Sequence, residues 1–332
     1  MNPPSGTIRA QLLDRREQLA ALVAQGHGGP KLEALLQDVD QAVARVTNGT
    51  YGICEACGEA IEPDRLQADP LLRLCLDHLT PAEARALEQD LILAAKVQQK
   101  LLPPSPMVAL GWEIAYSYEP LGAVSGDYCD VVKPEGVDAG LLLLLGDISG
   151  KGVAASMLMA HLHASMRTLV GFDLSLTQLI ERANRLFCDS TVASQYATLV
   201  GVRLGAAGTV EICNAGHCPP LVLQDHGVRS VPATGVPIGL FCVKDYAVET
   251  LTLEAGDTLV FYTDGVTEAL NVADQEYGED RLVRLARGMA HEPPHAIVRA
   301  CVADVAAFRG GVRRLDDVTV VAVRRTGQAR PF

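Results

Sequence analysis

The sequence predicts an α+β protein in which layers of strands and helices follow an N-terminal helical segment. Apolar residues recur at helical spacing within residues 6–47, a cysteine-rich segment covers residues 50–79, and strand patterns begin at Trp112. Beyond Trp112, strands and helices occur in blocks rather than in strict alternation. That order favours a layered α+β domain over a doubly wound parallel sheet.

Composition and charge exclude several classes of protein. The 332 residues have the hydrophobic and charged content of an ordinary globular protein. The net charge of −12 leaves no basic excess, so we expect no direct nucleic-acid binding. The N-terminal residues lack the apolar core of a signal peptide, and the longest purely apolar run, residues 141–145, is too short to cross a bilayer. We therefore expect a cytoplasmic protein with no membrane contact.

The N-terminal segment is predicted to form a helical hairpin. Residues 6–25 and residues 31–47 each carry apolar side chains at helical spacing. The sequence Gly-His-Gly-Gly-Pro at residues 26–30 interrupts the pattern and predicts the turn of the hairpin.

Four possible metal ligands follow the hairpin. Cys54, Cys57, Cys75 and His78 have the spacing C-x2-C-x17-C-x2-H. Two such pairs suit tetrahedral zinc, and four protein ligands leave no open coordination position. We therefore predict one structural zinc ion. The other six of the nine cysteines are scattered singly, as expected of core thiols in a reducing compartment.

The sequence around these ligands resembles a known zinc-finger family. Residues 48–58, Asn-Gly-Thr-Tyr-Gly-Ile-Cys-Glu-Ala-Cys-Gly, together with Arg65-Leu66 and Leu74-Cys75, resemble the DksA/TraR family. The resemblance implies a hairpin that can insert into RNA polymerase through acidic residues at its tip. The predicted tip has no carboxylate, so dimerisation or partner recognition is the preferred interpretation. A non-enzymatic transcription regulator that binds RNA polymerase through this hairpin remains the alternative.

A long helix is predicted between the zinc module and the strand-rich region. Thr80-Pro81 is typical of a cap followed by a proline in the first turn, and Pro103-Pro104 ends the segment. Apolar residues from Leu87 to Leu101 recur at intervals of three and four. This stripe fits either packing on one domain or a helix that dimerises and transmits a signal, and we expect a homodimer.

Four aspartates lie beside glycine or at the ends of predicted strands. Asp127 and Asp147 each follow a glycine, Asp264 precedes one, and Asp316 comes just before the strand predicted at residues 318–323. Carboxylates held in this way leave room for an ion, and hard cations such as Mg²⁺ or Mn²⁺ prefer oxygen ligands. Two such ions can serve phosphoryl transfer.

These aspartates fall within motifs that resemble the SpoIIE/RsbU branch of the PPM metal-dependent phosphatases along residues 85–325. The matching segments are Ser125-Gly126-Asp127-Tyr128, Gly146-Asp147-Ile148-Ser149-Gly150-Lys151-Gly152, Tyr196-Ala197-Thr198, Asn214-Ala215-Gly216-His217, Gly235-Val236-Pro237-Ile238-Gly239, Tyr262-Thr263-Asp264-Gly265 and Asp316-Asp317-Val318-Thr319. The resemblance implies a β-sandwich flanked by helices and a serine/threonine phosphatase that uses two Mn²⁺ or Mg²⁺ ions.

The resemblance also implies a role for each metal-site residue. Asp147 bridges both ions, and the backbone carbonyl of Ile148 helps to hold one of them. Asp127 ligates the same centre, while Asp264 and Asp316 complete the second site. A water activated by the two ions attacks the phosphoryl group, without a covalent enzyme intermediate.

Two further residues near these motifs are weaker candidates. Asp317 is the residue beside the ligand in the family. His217 lies between glycine-rich turn residues, where a histidine is more often structural than a general acid. The family's substrates imply a phosphoserine or phosphothreonine on a STAS-domain anti-sigma-factor antagonist, so a partner-switching role is expected.

A nucleotide-binding loop is an alternative interpretation of residues 146–152, which follow a strand and contain a lysine. Three residues rather than four separate Gly146 from Gly150-Lys151, and Gly152 stands where a P-loop has serine or threonine. The predicted organisation is therefore a zinc hairpin at residues 1–80, a linker helix at residues 81–104 and a phosphatase domain at residues 105–327.

Overall fold

The computed structural model describes residues 5–24, 29–79, 81–134, 140–191, 195–242 and 245–327. The chain divides into two units, Met1–Asp90 and Leu91–Phe332, and the division falls within a single helix, α4 (Pro81–Leu101). Residues 26–28 of the predicted hairpin tip and the predicted cap residue Thr80 lie outside the described residues.

The first unit contains a pair of helices followed by a small irregular module. Helices α1 (Ser5–Leu22) and α2 (Pro30–Asn48) contact each other, with Leu19 and Val39 among the buried side chains. Helix α2 is followed by Gly49, whose positive φ of 75° is the left-handed conformation that glycine adopts readily at helix ends. The module then contains a short helix, α3 (Pro63–Ala68), and a 3₁₀ turn at Leu76–His78.

The second unit begins with the end of α4 and contains eleven strands and five further helices within its described residues. In chain order these elements are β1 (Met107–Ala109), β2 (Trp112–Glu119), β3 (Asp127–Val132), β4 (Leu141–Ile148), α5 (Gly152–Leu169), α6 (Leu176–Ser190), β5 (Ala197–Leu204), β6 (Thr209–Ala215), β7 (Leu221–Gln224), β8 (Gly227–Ser230), β9 (Glu249–Thr252), β10 (Thr258–Tyr262), α7 (Asp264–Thr267), α8 (Glu279–Gly288), α9 (Pro294–Arg309) and β11 (Val318–Arg325).

The strands form two antiparallel sheets. One sheet has the order β1-β2-β11-β10-β7-β8, and the other has the order β3-β4-β5-β6-β9. Strand β4 lies inside the second sheet and residues 141–145 are completely buried, as expected of a strand covered on both faces. The six-stranded sheet joins segments that are distant in the sequence. Strand β2, near the start of the second unit, pairs with β11, its last strand.

Among the described residues of the second unit, three hydrophobic cores separate four layers. The inner faces of the two sheets pack together around Trp112 and Phe261. Helices α5 and α6 cover the outer face of the five-stranded sheet, while α8 and α9 cover the outer face of the six-stranded sheet. This arrangement confirms the predicted β-sandwich flanked by helices.

Local sequence explains how one covering helix begins and which face it buries. Helix α6 opens with a reciprocal capping box: the Gln178 backbone N–H donates to Ser175 Oγ at 3.2 Å, and the Ser175 N–H donates to the Gln178 side chain at 3.0 Å. Its apolar residues recur every three or four positions and are buried against the sheet. None of the helices within the described residues combines the length and the apolar character needed to span a bilayer.

Candidate active site and zinc site

Strand pairing brings the first two predicted metal ligands together. In the antiparallel β3–β4 ladder, Asp127 is the direct partner of Asp147. Directly opposed residues of such a ladder have Cβ atoms about 5 Å apart. Asp147 also pairs with Thr198 of β5, and Ile148 follows it as the last residue of β4. The sheet therefore fixes the positions of Asp127, Asp147 and Ile148.

The other two aspartates come from the ends of neighbouring strands in the other sheet. Asp264 begins α7 just after β10, and Asp316 lies just before β11, the antiparallel partner of β10. The Thr263 N–H donates to the Thr319 carbonyl at 3.0 Å, which continues the pairing beyond the strand end. A Cβ at Gly265 would lie 1.9 Å from the Asp317 carbonyl oxygen. Only glycine permits this approach.

Two threonines connect Asp127 to the six-stranded sheet. The hydroxyls of Thr263 and Thr319 donate to Asp127 Oδ2 at 3.1 and 2.5 Å. Asp127 itself belongs to the five-stranded sheet and is almost completely buried. These hydrogen bonds join the two sheets at the point where the four aspartates converge.

The aspartates raise one another's pKa values. Burial, followed by the negative charges of Asp264 and Asp316, raises the pKa of Asp147 to about 7. Burial and the charge of Asp316 raise the pKa of Asp264, and burial together with Asp147 raises the pKa of Asp127 well above its ordinary value. A cluster of like charges in a partly buried position is stabilised by a cation.

The chemistry of this donor set fits hard divalent ions. Carboxylate oxygens, with a backbone carbonyl nearby at Ile148, are the ligands that Mg²⁺ and Mn²⁺ prefer. Lys151 already places a cation at one side of the cluster, because its Nζ lies 2.6 Å from Asp316 Oδ2. Among the described residues, the aspartates do not form a group whose ligand atoms all lie within 4.8 Å of one another.

Asp317 has a different environment from Asp316. Its Oδ1 accepts the Leu121 N–H at 2.6 Å, and its Oδ2 accepts the Gly126 N–H at 3.0 Å. The side chain is buried, and both of its oxygens hold the backbone that leads into β3. Asp317 therefore positions the segment that carries Asp127.

His217 is a buried histidine beside the aspartate cluster. Its Nδ1 lies 2.8 Å from the hydroxyl oxygen of Thr198, the β5 partner of Asp147. The Asn214 side chain bonds to both the backbone N–H and the carbonyl of His217. Burial lowers the pKa of His217 to about 4, which keeps the ring neutral at neutral pH. These contacts describe a structural residue.

The predicted zinc ligands lie in one cluster in the first unit. The ligand atoms of Cys54, Cys57, Cys75 and His78 all lie within 4.8 Å of one another. Cys57 Sγ is 3.8 Å from Cys75 Sγ, and Cys75 Sγ is 3.3 Å from His78 Nδ1. Backbone N–H groups, that of Cys75 first, lower the pKa of the Cys54 thiol to about 6, which favours the thiolate that zinc requires.

Sequence reasoning did not identify Thr263, Thr319 or Gln98. Gln98 of α4 accepts the Ser125 N–H at 3.0 Å and donates to the Ser125 carbonyl at 2.8 Å, next to Asp127. The two threonines lie within the matched motifs, but their pairing across 56 residues depends on the strand register. Gln98 occupies a polar position of a helix, which gives no indication of burial.

Comparison with known proteins finds one family match in each of the two units. Residues 138–326 match the family model described as stage II sporulation protein E (SpoIIE), and residues 49–77 match the prokaryotic dksA/traR C4-type zinc finger. The zinc-finger match stops one residue before His78, which stands where a four-cysteine module has its last ligand.

Individual relatives agree with the family match. The chain is 26% identical to phosphoserine phosphatase RsbU of Bacillus subtilis over 185 residues, which cover 55% of this chain and 54% of RsbU. It is 26% identical to protein IcfG of Synechocystis over 259 residues, which cover 69% of this chain and 40% of IcfG. The chain thus spans about half the length of these curated relatives.

The fold also matches a solved phosphatase domain. The SiaA-PP2C domain of Pseudomonas aeruginosa superposes with a TM-score of 0.65 at 18% identity, covering 74% of this chain and 99% of that domain. This likeness concerns the fold. Because the SpoIIE model covers more than half of the sequence, the chain belongs to the SpoIIE family of metal-dependent PP2C-type phosphatases.

Proposed function

We propose that this protein is a metal-dependent phosphatase that hydrolyses phosphoserine or phosphothreonine on a partner protein. The observation that carries the proposal is the convergence of Asp127, Asp147, Asp264 and Asp316 from two sheets into one acidic cluster. The phosphoserine phosphatase RsbU, a relative by sequence, supports the choice of reaction.

Each residue of the cluster has a proposed role. Asp147 pairs with Asp127 in the β3–β4 ladder and interacts with Asp264 and Asp316, so it would contribute to the binding of both ions. Asp127 and the Ile148 carbonyl would hold one ion, and Asp264 and Asp316 would hold the other.

Two divalent ions held by these residues would supply positive charge to the phosphoryl oxygens and would lower the pKa of a bound water. The protein contributes rigid positions for the carboxylates, since phosphoryl transfer depends mainly on positioning and charge stabilisation. Thr263 and Thr319 orient Asp127 through hydrogen bonds to one oxygen. Asp317 holds the backbone from which Asp127 projects.

The substrate we propose is a small STAS-domain anti-sigma-factor antagonist, so the protein would act in partner switching. We also propose that the chain works as a homodimer through α4, and that the zinc module biases this helix and thereby the assembly of the metal site. Deletion of residues 1–80 tests the proposed influence of the zinc module. If the module affects the metal site, the deletion should change the turnover or the metal requirement.

The first experiment measures hydrolysis of an aryl phosphate with Mn²⁺, with Mg²⁺ and with a chelator. We expect metal-dependent turnover that Asp147→Asn and Asp264→Asn each reduce by at least about a hundredfold, since even outer-shell partners of a metal ligand are worth 10- to 100-fold. Asp225→Asn is the matched control, because this aspartate is 95% exposed and lies outside the cluster. Metal-dependent turnover that survives both cluster substitutions would show that the active site lies elsewhere.

A further inference from the structure

A basic cavity adjoins the aspartate cluster. It has a volume of about 120 Å³ and lies between the α9–β11 connection and the turn that follows α7. Asp316 and Gly265 form part of its wall, so the cavity opens directly beside the candidate metal centre.

Positive charge predominates in the cavity, although the whole chain carries a net charge of −12. The charged lining residues are Lys151, Arg309, Arg313, Arg314, Glu268 and Asp316, four cations against two anions. A concentration of cations on an acidic protein creates a local field that attracts anions.

Two of the four cations already have structural partners. Lys151 pairs with Asp316. Arg314 donates to the carboxylate of Glu119 at 3.0 Å and to the carbonyl of Pro120 at 3.0 Å, and so fastens the end of β2. These contacts leave little capacity for a ligand.

The other two cations have free donor groups. Arg309 donates from Nε to the Val312 carbonyl at 3.1 Å, and no other hydrogen bond of its guanidinium occurs among the described residues. Arg313 is exposed and has no hydrogen bond or ion pair with any other residue that the structure describes. A guanidinium is a planar fork that matches the two oxygens of a carboxylate.

We propose that this cavity is a substrate subsite in which Arg309 and Arg313 bind an acidic side chain near the phosphorylated residue. The proposal rests on the phosphatase activity proposed above and names a feature of its substrate. Because the cavity shares its wall with Asp316, an extended substrate segment would place the acidic residue at a position flanking the phosphoserine.

The test compares two phosphoserine peptides that differ only at the flanking positions, aspartate and glutamate in one and asparagine and glutamine in the other. We expect the wild type to prefer the acidic peptide in kcat/KM. Arg313→Ala should reduce this preference about tenfold, mainly through KM, as expected for the loss of a charge-assisted contact. The double variant Arg309→Ala/Arg313→Ala should abolish the preference, and Arg313→Lys should retain part of it.

Arg299→Ala is the matched control, because Arg299 is exposed on the same helix as Arg309 and does not line the cavity. It should keep the wild-type preference. A wild type that hydrolyses both peptides equally, or a double variant that keeps the preference, would overturn the subsite. An equal loss on both peptides in Arg313→Ala would also overturn it, since the arginine would then act on the phosphoryl group or on folding. A wild type without turnover of peptide or aryl phosphate would overturn the proposed function itself, and the subsite with it.

Discussion

At the scale of single residues, the neighbours Asp316 and Asp317 illustrate how surroundings decide a role. Asp316 pairs with Lys151 through Oδ2 and accepts the backbone N–H of its neighbour Asp317 with Oδ1. Asp317 instead accepts N–H groups of a distant segment, those of Leu121 and Gly126, with its two oxygens. A carboxylate with both oxygens bound to N–H groups of another segment holds that segment in place and is poorly available to an ion. This difference supports the proposed metal binding by Asp316 and a positioning role for Asp317.

His217 provides a pH-dependent prediction. Burial lowers its pKa to about 4, whereas the unfolded chain has the ordinary histidine value of about 6.5. Between these values the unfolded state binds a proton that the folded state does not. The contribution of His217 to the free energy of unfolding is therefore complete above pH 6.5 and falls as the pH falls towards 4, by up to roughly 1.4 kcal/mol per pH unit.

We expect His217→Gln to have a lower free energy of unfolding than the wild type at pH 7, because the hydrogen bond to Thr198 is altered. We expect this difference in free energy to shrink as the pH approaches 4, because the wild type loses stability there. Urea unfolding followed by the fluorescence of Trp112, the only tryptophan, reports on the core of the second unit. The exposed His226 offers a control, since His226→Gln should follow the wild type throughout. If the free energies of unfolding of His217→Gln and the wild type differ by the same amount from pH 7 to pH 4, the prediction is wrong.

The residue types of the site were predictable, but their connections were not. Glycine beside aspartate and the strand patterns around it identify Asp127, Asp147, Asp264 and Asp316 as candidates. The hydrogen bonds to Asp127 from two threonines depend on the β10–β11 register, and that register is set by contacts between distant strands rather than by local sequence.

At the scale of elements, the zinc module depends on its ligands rather than on a large core. The buried apolar cluster there contains Ile61 together with Cys54 and Cys75, two of the proposed ligands. In such small modules much of the folding free energy comes from metal binding. We therefore expect about one zinc ion per chain, and we expect Cys75→Ser to lose both the zinc and the protease resistance of residues 49–78.

Substitutions at the fourth ligand make this prediction sharper. His78→Cys restores the four-cysteine set of the matched family and should keep the zinc, whereas His78→Ala should release it more readily. Cys242→Ser is the control, because Cys242 is an exposed free thiol outside the cluster. Zinc content is measured by mass spectrometry after gel filtration. A Cys75→Ser protein that still contains one zinc ion per chain would refute the ligand assignment.

Helix α4 illustrates what periodicity can and cannot predict. The apolar stripe correctly predicts a helix, which ends at Leu101 before the two prolines. Leu101 packs against the core under α5 and α6, and the polar Gln98 is buried beside it. The stripe therefore has two environments, because Leu101 packs against this core while Leu87 and Val97 remain exposed.

At the scale of the whole molecule, local patterns predicted the class of fold but not its topology. Blocks of strands and helices indicate a layered α+β domain, and the motif resemblance adds the sandwich. The pairing of β2 with β11 joins residues about 200 positions apart, as in Trp112 and Arg325. The pattern of apolar residues within a strand does not show which distant strand it pairs with. A single sequence therefore does not reveal this pairing.

The exposed face of α4 belongs to this scale, because it concerns the assembly of two chains. Ile92, Leu93 and Val97 are between 47% and 61% exposed, and Leu87 continues the same helix towards its N-terminus. Adjacent exposed apolar residues on a helix are typical of a surface that a partner covers. This observation supports the proposed homodimer.

The dimer is tested by placing charge on that face. We expect the double variant Leu93→Lys/Val97→Lys to raise the dimer dissociation constant by at least about a hundredfold, because each substitution replaces buried apolar area with a desolvated charge. Val272→Lys is the matched control, since Val272 is 79% exposed and far along the chain from α4. Sedimentation equilibrium over a range of concentrations measures the constant. A wild type that is monomeric at every concentration would refute the dimer, and a double variant as dimeric as the wild type would show that the interface lies on another surface.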